Sequence, residues 1–246
     1  MEGTEIPGRL IWHGARVTSI TDETLRVRTI TLDCATWPGH LAGQHVDVRL
    51  TAEDGYQAQR SYSIASAPAD PALALTVEQI DDGEVSPYLV NDVRVGDEIE
   101  IRGPIGGYFV WSKMRGGPLL LLAGGSGVVP LRCIMRQHAA VGSDAPIRLL
   151  YSARSQSDII YRGELEQFGM HDSDVVFTLT REQPEGWTGY HRRIDAMLIK
   201  EIAWPADMRP LAYVCGPTAF VERAATELVT LGYAPDRIKT ERFGPS

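Results

Sequence analysis

Pro118-Leu119-Leu120-Leu121-Leu122-Ala123-Gly124-Gly125-Ser126-Gly127-Val128-Val129-Pro130 divides the 246-residue chain into two kinds of sequence. The run Leu119 to Ala123 lacks polar alternation, as a strand covered on both faces requires. Small residues follow, and Pro130 then opens a helical stripe of Leu131, Ile134, Met135 and His138 that Gly142 ends. A strand, a glycine-rich turn and a helix start form a seat where backbone N–H groups meet a pyrophosphate, which makes Gly124, Gly125, Ser126 and Gly127 candidate ligand residues. The turn is not a GxGxxG fingerprint, and it lacks the Lys-Ser/Thr pair of a phosphate-cleaving loop. Val128 stands where a hydrolase elbow needs its last glycine, which disfavours Ser126 as a nucleophile. Read alone, a plain strand-to-helix turn remains open.

Downstream, Ile147–Tyr151, Val175–Leu179 and Leu211–Val214 repeat the continuous apolar pattern, and Thr218 to Leu231 reads as a helix ended by Gly232. Repeated strand and helix units predict an α/β doubly wound parallel sheet. Upstream the period changes to two. Ala15–Ile20, Leu25–Leu32, His45–Leu50, Leu73–Val77 and Glu98–Ile101 alternate, with Pro, Gly and Asp between them, and predict antiparallel strands of a β-barrel or sandwich. A short helix fits Val85 to Val90. The expected organisation is two-domain, 1–112 and 113–246, with the boundary near Trp111 to Gly117.

Hydrophobic residues make up 43% of the chain and charged residues 23%, as in ordinary soluble domains. The net charge of −8 argues against nucleic-acid binding and against adsorption to anionic membranes. The acidity is concentrated upstream, −9 over residues 1–112 and +1 over the rest. Cys34, Cys133 and Cys215 are scattered and odd in number, without a CxxC pair for zinc or a cysteine-rich run for an iron–sulfur cluster. His13, His40, His45, His138, His171 and His191 show no HxxxH or HExxH spacing, so no metal site is expected. The N-terminus has no apolar leader, and the longest apolar run is too short to cross a bilayer. The expected location is cytoplasmic.

Two further stretches carry chemistry. Arg60-Ser61-Tyr62-Ser63 places a cation and an aromatic on one strand face and a hydroxyl on the other, a set suited to phosphate, ring and ring edge. Asp82-Gly83-Glu84-Val85-Ser86-Pro87 brings Gly83 and Ser86 to a helix start, either as a phosphate seat or as a helix cap. In this order, with Gly103-Pro104-x-Gly106-x-x-Phe109, the Gly124 to Pro130 loop and Cys215-Gly216-Pro217, these segments resemble the ferredoxin-NADP reductase superfamily. The match is to its compact bacterial members without a fused iron–sulfur domain, and it covers nearly the whole chain.

The resemblance implies FAD on the barrel, with Tyr62 stacked on the isoalloxazine, Ser63 near its reactive nitrogen, and Arg60 and Ser86 on the pyrophosphate. NAD(P)H would dock on Gly124 to Gly127, Gly216 and Pro217, with Cys215 beside the nicotinamide. Cys215 is equally readable as a small residue closing a strand. Phe243 is the candidate aromatic shield of the flavin, although three residues follow it, and a core Phe on the last strand is an equal contender. Glu241 could relay a proton, but is read first as a solvated strand charge. Arg154, Arg181 and Arg193 follow strands or precede a helix where a 2′-phosphate would need guanidinium groups, which favours NADP over NAD. The implied function is an FAD-dependent NAD(P)H oxidoreductase passing electrons to a separate redox protein, a ferredoxin or an oxygenase component. A reductase of free flavin, quinone or ferric chelates, and a non-catalytic flavin- or nucleotide-binding subunit, are the alternatives.

Overall fold

A computed structural model describes residues 10–170 and 173–244, so the first nine residues and His171 lie outside the described residues. Six strands build the first unit: β1 (Trp12–Thr24), β2 (Val27–Asp33), β3 (His45–Thr51), β4 (Gln57–Ser63), β5 (Leu73–Glu78) and β6 (Glu98–Ile105). They pair antiparallel in the order β4-β3-β6-β1-β2-β5. The two edge strands meet through an Ile64–Leu75 bridge and the Ala65 N–H to Ala74 carbonyl bond of 2.8 Å, so the sheet closes into a barrel. Alternation works as expected: Val46, Val48, Ile30, Leu32, Leu75, Val77, Ile99 and Ile101 fill the interior together with Leu89 of α1 (Ser86–Asn91).

The second unit alternates β7 (Leu119–Gly124), α2 (Val128–Ala140), β8 (Ile147–Ala153), α3 (Arg162–Met170), β9 (Ser173–Leu179), α4 (Ala196–Ile202), β10 (Leu211–Pro217), α5 (Thr218–Thr230) and β11 (Ile238–Phe243). The sheet is parallel, in the order β11-β10-β7-β8-β9. Leu120, Leu122, Ala212 and Val214 face α4 and α5, while Leu119, Leu121, Tyr213 and Cys215 face α2. Both faces are covered, which is why these strands read as unbroken apolar runs. The helix of the opening motif begins at Val128, two residues before Pro130, because a single 3₁₀ turn over Gly125–Gly127 leads straight into it. Periodicity does not single out α3 and α4, which are short and are not followed by a glycine stop.

Chain order runs outward from β7 in both directions, so the strand order reverses between β7 and β10. Open α/β sheets bind ligands at the carboxyl ends of strands at such a point. α2 also packs on the barrel. Arg132 donates to the Ala65 carbonyl at 3.1 Å, Cys133 Sγ to the Ser66 carbonyl at 3.0 Å, and Tyr161 hydroxyl to Thr76 Oγ1.

Candidate functional site

A cavity of about 590 Å³ opens between the two units. From the barrel unit come His45, Arg60, Tyr62, Ser63, Thr76, Glu78, Gly83, Glu84 and Ser86; from the second unit come Ser126 and Val129 of the glycine turn and α2, and Glu241, Arg242 and Phe243 of β11. β4 delivers its residues by strand alternation: Ser63 is buried, Tyr62 half-buried and Arg60 exposed at the mouth. Burial pushes the Tyr62 phenol well above its ordinary range, so the ring is a neutral, flat wall. Ser63 Oγ is buried with no protein partner among the described residues. A buried polar atom left so costs about 1–3 kcal/mol, and a ligand that accepts or donates there recovers it.

Ser86 is a correction to the capped-helix alternative. The N-cap of α1 is Val85 without a side-chain cap, and Ser86 Oγ instead accepts the Ile80 N–H at 3.0 Å. That bond shapes the 80–86 loop against the cavity and leaves the hydroxyl proton to give. Gly83 is needed within the loop, since a Cβ there would stand 2.9 Å from Ser86 Oγ.

Glu241 is the second correction. It is not a solvated strand charge: β11 turns it into the cavity, its Oε2 is buried without a partner, and burial raises its carboxyl to about 7. Its register neighbour on β10 is Cys215. The Cys215 thiol is fully buried on the α2 side of the sheet and does not line the cavity. Burial, and then the Glu241 charge, push that thiol well above the usual range, so it is not a thiolate. Phe243 is half-buried, packed against the main core of the parallel unit and lining the cavity at once.

Gly124, Gly127 and Gly216 meet at the sheet reversal. A Cβ on Gly127 would overlap the Cys215 carbonyl, and one on Gly216 would stand 2.9 Å from the Gly124 carbonyl oxygen. The β7 and β10 ends therefore come together only with glycine at these places. Gly125 takes a φ of 54°. Arg154 directly follows β8 and Arg181 follows β9, where the Arg181 N–H donates to the Arg154 carbonyl at 2.9 Å. Among the described residues neither guanidinium has an ion-pair partner, nor has that of Arg193, whereas neighbouring Arg192 is within reach of Asp195 and Glu201.

Sequence reading missed His45, Thr76 and Glu78. Thr76 and Glu78 alternate on the outer face of β5, a polar-out pattern that looks solvated until the second unit covers it. His45 is the register partner of Ser63, and burial pulls its imidazole below the ordinary value although Asp47 opposes this. Among the described residues no three His, Cys, Asp or Glu side chains are grouped to hold a metal.

A planar wall, an unpartnered hydroxyl, a guanidinium at the mouth and a glycine-lined strand reversal fit a flavin beside a dinucleotide. Residues 16–110 match the oxidoreductase FAD-binding domain, and residues 121–226 match the oxidoreductase NAD-binding domain. The chain belongs to the ferredoxin-NADP reductase superfamily. It is 32% identical over 197 residues to NADH-cytochrome b5 reductase 1 of Kluyveromyces lactis, covering 78% of this chain and 69% of that protein. It is 30% identical over 239 residues to the glycine betaine monooxygenase reductase subunit of Chromohalobacter salexigens, covering 94% of this chain. The chain spans 64% of that relative's length. The fold matches the FAD/NAD-binding domain of nitric oxide dioxygenase from Vibrio cholerae with a TM-score of 0.84 at 23% identity, covering 95% and 99% of the two chains. No helix among the described residues is long and apolar enough to cross a membrane.

Proposed function

We propose that this superfamily member is an FAD-dependent NAD(P)H oxidoreductase that passes electrons to a separate redox protein, a ferredoxin or an oxygenase component. The observation that carries the reading is the shared cavity, where Ser63 of the barrel and Glu241 of the parallel sheet both present buried, unpartnered oxygens.

FAD, when bound, takes up an electron pair from a reduced nicotinamide and gives electrons up singly. The residues supply position and charge. Tyr62 offers its face to the ring, Ser63 a hydrogen bond to the ring edge, and Arg60 and Ser86 hold phosphate oxygens. Gly124 to Gly127, Gly216 and Pro217 admit the dinucleotide backbone at the sheet reversal. Glu241, protonated below about pH 7, holds a proton inside the cavity. Cys215 supports the β10 end from behind, and Phe243 covers the cavity edge. Arg154, Arg181 and Arg193, without carboxylate partners among the described residues, favour the 2′-phosphate of NADPH over NADH. Domain limits of 1–112 and 113–246 are supported by the change from the antiparallel to the parallel sheet. Scattered cysteines support a cytoplasmic setting and an electron acceptor outside these residues. The glycine betaine relative is by its name a reductase subunit of a monooxygenase, which points to an oxygenase component as partner.

Steady-state turnover of NADPH with a ferredoxin or oxygenase component tests this. Turnover that depends on the protein acceptor supports it. Equal turnover with free flavin, quinone or ferric chelate alone supports the reductase without a protein partner.

A further inference from the structure

Arg60 does not stand free at the cavity mouth. Its Nη2 lies 3.4 Å from Glu84 Oε2, and the other oxygen of that carboxylate accepts the Tyr56 hydroxyl at 2.5 Å. Tyr56 thus holds Glu84 against the guanidinium. Glu84 lies between Gly83 and Ser86, on the loop assigned to phosphate, and lines the cavity itself. The remaining charge on that wall does not compensate. Glu78 and Asp82 are acidic, and Arg242 is committed to Glu222 by two bonds of 2.6 and 2.8 Å.

A guanidinium fork receives one carboxylate or one phosphate edge well, and two anions sharing it repel each other. We propose that Glu84 is a built-in competitor for Arg60 that sets how tightly the flavin phosphates are held, so that FAD is exchangeable rather than permanently retained. The inference rests on the reading of the cavity as a flavin site. It concerns the phosphates alone: riboflavin, which has the same ring and no phosphate, lies outside the competition.

The pair is exposed, 56% and 48% by side chain, so the competition is worth a few-fold rather than orders of magnitude. Titration of the full chain with FAD and with riboflavin, followed by quenching of flavin fluorescence, reads it directly. Glu84→Gln, which keeps an acceptor for Tyr56, is expected to tighten FAD by roughly fivefold and leave riboflavin unchanged. In an Arg60→Gln background the gain from Glu84→Gln is expected to vanish. Unchanged or weaker FAD binding in Glu84→Gln, equal tightening of riboflavin, or a gain that survives Arg60→Gln each overturns the proposal. A wild-type chain that quenches neither ligand overturns the flavin reading itself, and so is distinguishable from failure of the competition.

Discussion

Arg136 of α2 grips Asp70 of the barrel with two guanidinium nitrogens, at 2.7 and 3.0 Å, and reaches Glu164 of α3 at 2.9 Å with a third. One turn earlier, Arg132 bonds the same Glu164 and the Ala65 carbonyl, with its guanidinium 4.3 Å from the centre of the Tyr161 ring. The helix that starts at the glycine turn therefore holds the segment that follows Ser63. Half-sites from two sheets are tied into one cavity through these arginines.

Asp70→Asn removes the charge that faces Arg136 and leaves its volume. A loss of about 1–3 kcal/mol is expected in denaturant unfolding, between the values for exposed and buried pairs. A loosened interface is also expected to separate the melting of the two units, read by calorimetry as a second transition.

Glu241 gives the protein a pH signature. Its carboxyl titrates near 7 in the fold against about 4.5 when unfolded, because burial disfavours the charge. Between those values the unfolded chain has lost a proton that the native chain keeps, so this contribution is full below pH 4.5 and is lost as pH rises through 7. Glu241→Gln is expected to match wild type at pH 4.5 and to be more stable at pH 8 by on the order of 2 kcal/mol. Parallel urea titrations at the two values check it, and equal stability of the pair at both would remove the shift.

Tyr62→Ala deletes the ring wall of the cavity. A stacked aromatic face contributes about 0.5–1.5 kcal/mol beyond its buried area, so flavin is expected to bind at least tenfold more weakly, by equilibrium dialysis. The fold is retained, since Tyr62 packs at the margin of the barrel core.

Arg154→Ala separates the two donors. The apparent KM for NADPH is expected to rise about tenfold, the loss of one charge-assisted contact, and that for NADH to stay within twofold. Equal rises would remove the 2′-phosphate role.

Much of this molecule was legible in the residues, for physical reasons visible at particular positions. Leu119 to Ala123 announced a doubly covered strand because neither face meets water, and Val46 and Val48 announced a barrel wall because one face does. Glu241 was misread. A glutamate on a half-polar strand looks solvated, and only its place in the cavity between the two units decides otherwise. Thr76 and Glu78 escaped for the same reason from the other side. Tyr161, with a φ of 59° and its hydroxyl bonded to Thr76 across the interface, leaves no pattern in the sequence. Local periodicity reports which face is apolar; it does not report which polar face another unit will cover.

The most direct test of the central claim is the visible absorbance spectrum of the purified chain supplied with FAD, followed through anaerobic addition of NADPH and, separately, NADH. Bleaching of the flavin band by NADPH, faster than by NADH, is the expected result. A bound flavin whose band neither donor bleaches, or a chain that binds no flavin, would contradict it.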